Sequence, residues 1–598
     1  MSNDPFNSNS YVAFDGTSIR DLIISKLNQG QVFTDQNYQG SNLSALIDII
    51  GYSFSTLLFY LNKTSSESMF TESQLYENMN RIVKLLSYNP VGRLGQNVPF
   101  TIKTSEYITS GNYTIPRYSN ITVGNNIYSF NHDINFTKYT DLAETISDIA
   151  NTHLIYQGGF QEYPLYTAFG IDNEIIYLSL PPNVNVDHFN IFVYVKPFDT
   201  GHWEDWTRAS ELFLYNATDS VYEVRFNSNK NYEIKFGNDV NGRKLKTGDQ
   251  IQIFYLSIDK NAAGIGPNAL NNTPIVAYNS KIYNEIMSDI IVNQKFLTTQ
   301  QLSQTLINNE YPSTVYSEEE NVDSIRANAP QAFRSQYRLV TTTDYESYVR
   351  SNYSNFLSDL KLINNDDYLK GHIKYLYNIG LNEPQKENRV LINQINFANS
   401  CNFNNLYLYM VPSSNLQEYL SSPQKEIILN GLNSNKTLTS QIVPMDPVYM
   451  YLDFYVANPN ITPSPKDLNN CQLIITKNRN TRRADSAILA DVLRVFSSNF
   501  NRVANNLGQS IDLYQLSTNI LNIDGVSRIQ TYRKDTDTYV EGISVLLWNN
   551  TYPENDSQVY SQNITLDYFK FPIFNNIDNL TSRIVVKEIT GAIKAADF

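Results

Sequence analysis

Apolar residues recur at three- and four-residue steps from Ser41 to about Asn62, at Leu43, Leu46, Ile47, Ile50, Phe54, Leu57, Leu58 and Leu61. That is the period of a helix, and the apolar stripe it draws is unusually wide. A second helix is predicted from Thr71 to Ser87, with Leu75, Met79, Ile82, Val83 and Leu86 on one face. Asn89-Pro90 ends the helical stretch, because proline lacks the backbone donor and disfavours helix in the residue before it. Two readings stay open: the helices pack on each other, or they enter a bundle shared with other chains. In the second reading the interface is formed by Leu46, Ile50, Phe54, Leu57, Leu61, Leu75, Met79, Ile82 and Leu86. Residues 1–40, polar and aperiodic, read as an extended arm that orders only against something else.

From Val98 to about Val276 the period changes to short alternating runs such as Ile175–Leu180, Ile191–Val195 and Ile251–Tyr255, the mark of a sandwich or barrel-like β domain. Capping boxes are predicted at Ser317 with Glu320 and at Thr343 with Glu346, each opening a helix, the first ended or kinked at Pro330. Strands follow at His372–Tyr377, Leu406–Val411 and Val448–Val456, with a helix at Gln424–Leu432. A further helix runs from Asp485 to Leu507 and stops at Gly508; Ser510 caps the next one, and Gly525 leads into the strand Val526–Tyr532. The fold class is therefore α+β and multidomain, with an N-terminal helical pair, a β-rich middle domain and C-terminal α+β domains. The expected divisions are an arm at 1–40, a bundle-forming segment at 41–90, a β-rich domain with an insertion at 91–312, α+β domains at 313–457 and 458–540, and a β-rich C-terminal extension at 541–598.

Composition narrows the class of partner. The chain has 598 residues, too many for one core, and a formal net charge of -14, which repels a phosphate backbone. Nucleic acid is not an expected partner. Its 43 tyrosines suit broad contact surfaces, since each ring buries area while keeping a polar tip. Cys401 and Cys471 cannot build a disulfide framework and are expected in the core. The start, Met1-Ser-Asn-Asp-Pro, shows no basic region leading into an apolar run, so no secretory signal is read there. The window Leu43–Leu61 is nearly long enough to span a bilayer, but Asp48, Ser53, Ser55 and Thr56 interrupt it; it reads as a buried or bundle helix, and no membrane partner is expected.

The most specific segment is Tyr232-Glu-Ile-Lys-Phe-Gly-Asn-Asp-Val-Asn-Gly-Arg-Lys-Leu-Lys-Thr-Gly-Asp-Gln-Ile-Gln-Ile-Phe-Tyr255. It reads as two strands joined by a tight connection, in which Gly237 with Asn238-Asp239 forms a turn and Gly242 and Gly248 supply positive φ. This run resembles the strand-turn-strand signature of the baseplate-J-like family, except that Val240 stands where a glycine is usual. Three further segments are similar to that family in the same order. They are Ile115-Pro-Arg-Tyr-Ser-Asn-Ile-Thr-Val-Gly124 with Tyr128-Ser-Phe130, then Glu318–Arg334 with Arg338–Tyr345, then Leu438-Thr439, Pro447–Tyr449, Leu507-Gly508 and Ile523–Val526. The helices ending in Leu85-Leu-Ser-Tyr-Asn-Pro90 look like those of wedge proteins of T4-type contractile phages. The resemblance implies a self-associating ring-former around a tail hub, sited in the virion baseplate and assembled in the bacterial cytoplasm. Its N-terminal helices would join a bundle with neighbouring wedge proteins, its C-terminal half would pair with another copy, and the sheath-initiating protein would be a further partner. A baseplate component of a headless contractile injection system is the nearest alternative.

Features that suggest chemistry are weak in context. Gly264-Ile-Gly-Pro-Asn-Ala269 matches a dinucleotide fingerprint, but Leu270-Asn-Asn-Thr-Pro274 does not open a helix to hold a pyrophosphate. Trp203-Glu-Asp-Trp206 could be a sugar platform in a receptor- or glycan-binding protein, though a surface loop or protein-contact patch is the expected reading. Lys477–Arg483 holds the one basic cluster, a possible contact through Arg479, Arg482 and Arg483. The acidic run Glu318–Glu320 is read as favouring a helix N-terminus. No histidine spacing points to zinc and no nucleophile elbow is present, so neither catalysis, cofactor nor metal is expected.

Overall fold

A computed structural model describes residues 16–30, 42–147, 153–290, 295–336, 338–378, 403–433, 435–478, 481–500, 502, 505–549, 557–575 and 577–588. The chain divides into two compact units. One comprises residues 1–90, 225–233 and 320–333, and the other 91–224, 234–319 and 334–598. The architecture is mixed α+β in several layers.

In the first unit, helix α1 (Gly16–Gly30) lies beside α2 (Asn42–Glu67), with Arg20 paired to Asp48 at 2.7 Å. The polar stretch read as an extended arm thus contains a helix. On α2, Ser44, Ile47 and Gly51 are buried, a short spacing that puts two small residues and one aliphatic on a single face. α3 (Tyr76–Val83) is shorter than the helix predicted over 71–87 and closes in a 3-10 turn, with Ser87 at φ 55°. Its Met79 and Val83 pack with Ile325 and Ala329 of α4 (Val322–Ser335). α4 begins five residues after the expected cap: Asn321 Oδ1, not Ser317, accepts the Ser324 amide at 2.8 Å. Pro330 lies within this helix and does not end it.

The second unit opens with a β region whose core gathers Val98, Phe100, Ile102, Tyr113, Phe130 and Ile155. There Val123 pairs with Asn126 across a two-residue turn at Gly124. Eight strands then form one sheet: β1 (Gly159–Glu162), β2 (Tyr166–Thr167), β3 (Ile175–Tyr177), β4 (Asn185–Lys196), β5 (Glu204–Ala209), β6 (Val221–Phe226), β7 (Tyr232–Phe236) and β8 (Gln250–Ile258). Their order is β2-β8-β4-β5-β6-β7-β3, with β1 also on β8. The outer strands β2 and β3 are joined by residues 168–174 alone. Tyr163, whose amide bonds the Ile253 carbonyl of β8, donates its hydroxyl to the Tyr177 carbonyl of β3 at 3.1 Å, so the two ends of the sheet approach each other in a barrel-like form. Trp203 and Trp206 are 5% and 3% exposed, Trp203 packed with Tyr194, Phe254 and the helix residues Tyr283 and Ile286, and Trp206 edge-on to Phe236 at 5.6 Å. They are core residues and form neither a platform nor a surface loop.

Behind the barrel, in sequence, the sheet β9 (Leu357–Asn364), β10 (Asn405–Pro412) and β11 (Gln441–Met445) packs against the helices Thr342–Asn352 and Ser422–Asn433. The first of these helices is capped by Thr341 with Asp344, two residues before the predicted box. His372–Tyr377 lies in the helix Asn365–Asn378, not in a strand. Its apolar alternation is overridden by a local start signal, Asn364 Oδ1 accepting the Asp367 amide at 2.8 Å, followed by an Asp366–Lys370 pair one turn on.

The last region sandwiches helices Asp485–Asn499 and Leu513–Leu521 with two four-stranded sheets around Leu452, Phe454, Leu473, Val492, Phe496 and Ile520. Asp512, not Ser510, caps the second helix. One sheet centres on β12 (Val448–Phe454), flanked by β16 (Val545–Asn549) and, in parallel, β17 (Lys570–Phe574). The other centres on β13 (Cys471–Lys477), flanked by β14 (Val526–Arg533), which carries β15 (Thr538–Glu541), and, in parallel, by β18 (Ile584–Glu588). The stretch expected as an extension after residue 540 is therefore woven into both sheets and shares their core. Cys471 is buried; Cys401 lies outside the described residues.

Candidate functional site

The candidate site is an association surface on α2. Leu46, Ile50, Phe54, Leu57 and Leu61 are between 43% and 59% exposed, although they make up the predicted stripe. At roughly 100° per residue they fall on one side of the helix, centred about 90° from the buried Ser44–Ile47–Gly51 face and adjoining it at Ile47. Ile49, Tyr52, Phe59 and Tyr60 are also exposed, so from Tyr52 to Leu61 the helix is apolar on nearly every side. It is long and apolar enough by composition to cross a membrane, yet only 17% of that window is buried within the chain. The stripe is thus not the buried core helix that one sequence reading offered. Leu75 is exposed too, while Ile82 and Leu86 are half-buried. Met79 is a correction: it is fully buried by its own chain against Ile325 and Ala329, and no face of it is left for a partner.

Where α2 ends, the carboxylate of Glu67 is buried and collects donors from the following turn. The amides of Gln74 and Leu75 reach it at 3.3 and 3.1 Å, Ser73 Oγ at 3.2 Å, Asn78 Nδ2 at 3.2 Å, and Lys63 Nζ at 3.4 Å. Burial works to raise its pKa, but the hydrogen bonds from Leu75, Asn78, Gln74 and Ser73 outweigh it and hold the group at about 2. On the other side of the same turn Arg326 of α4 donates to the Ser73 carbonyl at 2.5 Å and the Phe70 carbonyl at 3.4 Å, and pairs with Asp323 at 2.7 Å. A polar hollow of about 630 Å³, lined by Lys63, Thr71, Glu72 and Arg326 among others, adjoins it.

In the second unit the glycine-rich run joins two strands as expected, and these do not pair with each other, since β4, β5 and β6 lie between β7 and β8. Gly242 and Gly248 take φ of 75° and 93°, and Asp239 takes 62°. Asn238 Oδ1 closes the turn by accepting the amides of Val240 and Asn241 at 3.1 and 2.9 Å. Because the positive φ falls on Asp239, valine is tolerated next to it. A Cβ on Gly237 would stand 2.2 Å from the Gly242 carbonyl oxygen. Gly237→Ala is expected to cost about 2–4 kcal/mol, read as a lower midpoint in urea unfolding of the full chain.

Two other groups came out differently from expectation. The same end of the barrel exposes Phe169, Ile171, Phe198 and Val240, each more than half exposed. Apolar residues scattered over three loops carry no period, so pattern reading could not find them. Of the basic cluster, Arg483 is held by Asp491 at 2.5 Å and the Asp524 carbonyl at 2.9 Å, Arg482 is exposed, and Arg479 lies outside the described residues. Glu319 pairs with Arg93 at 2.8 Å and Glu318 with Lys260, so the acidic run serves ion pairs ahead of the helix. After Ala269 the chain makes turns and the short strand Thr273–Pro274, with no helix start for a phosphate. Among the described residues no three His, Cys, Asp or Glu side chains form a group that could hold a metal ion.

Fold and surface together define an α+β protein of two units whose long apolar helix α2 is left largely uncovered by the described residues. No family model matches the chain. It is 23% identical over 363 residues, 57% of its length, to Baseplate wedge protein gp6 of Enterobacteria phage T4. The chain spans about half the length of that relative, 50%. A solved cryo-EM structure of the anti-feeding prophage (AFP) baseplate, 6-fold symmetrised, aligns over 94% of this chain and 99% of its own at 11% identity, with a TM-score of 0.29, a likeness too slight to carry an argument.

Proposed function

We propose that this chain is a structural wedge subunit of a contractile-tail baseplate, joining copies of itself and neighbouring wedge proteins into the ring around the tail hub and catalysing no reaction. The observation that carries the proposal is the exposure of α2: burial gains about 25 cal/mol per Å² of apolar area, and nothing in the described first unit covers Leu57, Phe59, Tyr60 or Leu61. One neighbouring helix covers a stripe of roughly 100°, so a segment apolar on nearly every side suits a bundle with more than one partner helix. The similarity to a phage baseplate wedge protein supports the same reading. A glycan-binding role has lost its basis, because both tryptophans that suggested it are buried. The test is a cryo-EM map of the tail from the phage or particle that encodes this chain. Density for residues 91–588 repeated around the hub is expected; tails whose baseplate ring contains no copy of the chain would overturn the proposal.

A further inference from the structure

The turn between α2 and α3 is held from both sides by charge, the buried carboxylate of Glu67 and the half-buried guanidinium of Arg326. Glu67 gathers the turn's N–H and O–H donors, and Arg326 gathers its carbonyls at Phe70 and Ser73. Each group answers one polarity of backbone, and neither bonds the other. Turn residues ordinarily satisfy their backbone groups with water and pivot freely; here four donors from three successive residues and Asn78 end on one carboxylate. The charge-assisted bonds are the strong kind, and the depressed pKa of Glu67 is the sign that the cluster favours the ionised form.

We infer that Glu67 and Arg326 form a latch that locks the α2–α3 elbow and fixes the direction in which the apolar helix leaves the α3–α4 core before any partner is bound. The latch is a single connected element. Losing the Glu67 charge weakens the bonds to Ser73, Gln74, Leu75 and Asn78 together, leaving the turn's own backbone bonds, such as Ser73 N–H to the Met69 carbonyl at 2.9 Å, the packing of Phe70 and the Arg326 contacts to oppose rotation about residues 68–75. Its use rests on the reading of α2 as an assembly helix: a helix held in its bound direction spends less free energy on ordering when it docks. The geometric claim itself needs no partner.

The experiment measures the elbow in the full chain at a concentration where it is monomeric. Spin labels at Ser53→Cys on α2 and Ala327→Cys on α4, both exposed positions, with Cys401 and Cys471 replaced by alanine, report the distance distribution. The intact elbow is expected to give one narrow distance, and Glu67→Gln a distribution at least twice as wide, with amide exchange of Met79 and Ile325 unchanged. If Glu67→Gln loosens the α3–α4 core as well, the paired change Ser73→Ala with Asn78→Leu, which keeps both charges, is expected to widen the distance alone. A distribution as narrow in these variants as in the parent, or already broad in the parent, overturns the latch. Failure of the parent to assemble into baseplates despite a narrow distance would instead overturn the functional reading and leave the latch standing.

Discussion

A chain carrying Ile50→Glu and Leu57→Glu is expected to lose assembly with partner wedge chains while residues 91–588 stay folded. Both side chains are exposed, at 43% and 59%, and neither belongs to the buried set Ser44, Ile47 and Gly51. Glutamate has good helix propensity, so α2 should persist. In the free chain the new carboxylates face water at little cost. In a bundle they would be buried without partners, at several kcal/mol for the pair, which corresponds to a loss of association of at least about 100-fold. Sedimentation or co-purification with the partner proteins reads the loss, and near-ultraviolet circular dichroism of the barrel tryptophans reads the fold. Normal assembly of this variant would sink the bundle interface.

The second large effect is on stability. Arg117 sits at the mouth of the barrel with its guanidinium on Asp133, at 3.0 and 2.8 Å, on Asp205 at 2.8 Å and on the Tyr194 hydroxyl at 3.0 Å, while its own amide reaches Asp133 at 2.8 Å. Tyr194 continues the network to the fully buried Tyr118, hydroxyl to hydroxyl at 2.7 Å, and burial pushes both phenols up, Tyr194 to about 12. Arg117→Leu leaves the Asp133 carboxylate, only 10% exposed, without its counter-charge. Breaking one side of such a pair costs about 3–5 kcal/mol, whereas replacing both sides costs far less. Urea unfolding is expected to show that loss for Arg117→Leu and to recover at least half of it when Asp133→Asn is added. Equal stability of the single variant and the parent would show that the network contributes nothing.

What was legible in the sequence follows the range of the forces involved. The stripe of α2 was visible because its period is local, and the structure confirms the helix and leaves the stripe uncovered. The glycines of the 237–248 loop were legible for the same reason, since φ is a property of one residue. Met79 looked like its neighbours on the stripe, and only the distant α4 shows that it is already covered. The Trp203–Trp206 segment read as a surface feature because its polar neighbours gave no hint that β5 lies inside a curled sheet. His372–Tyr377 alternated like a strand, and one cap at Asn364 decided otherwise. The helix caps were displaced by two to four residues because several Ser, Thr, Asn and Asp side chains compete at each helix start, and tertiary contacts choose among them.

The parallel pairing of β13 with β18 sets a timetable for synthesis. Cys471–Lys477 leaves the ribosome more than a hundred residues before Ile584–Glu588 exists to flank it. At about 5–20 residues per second, one edge of that strand and the matching edge of β12 stand bare for about ten seconds in every nascent chain. A newly made copy is therefore open to mispairing with its neighbours on the same polysome during that interval.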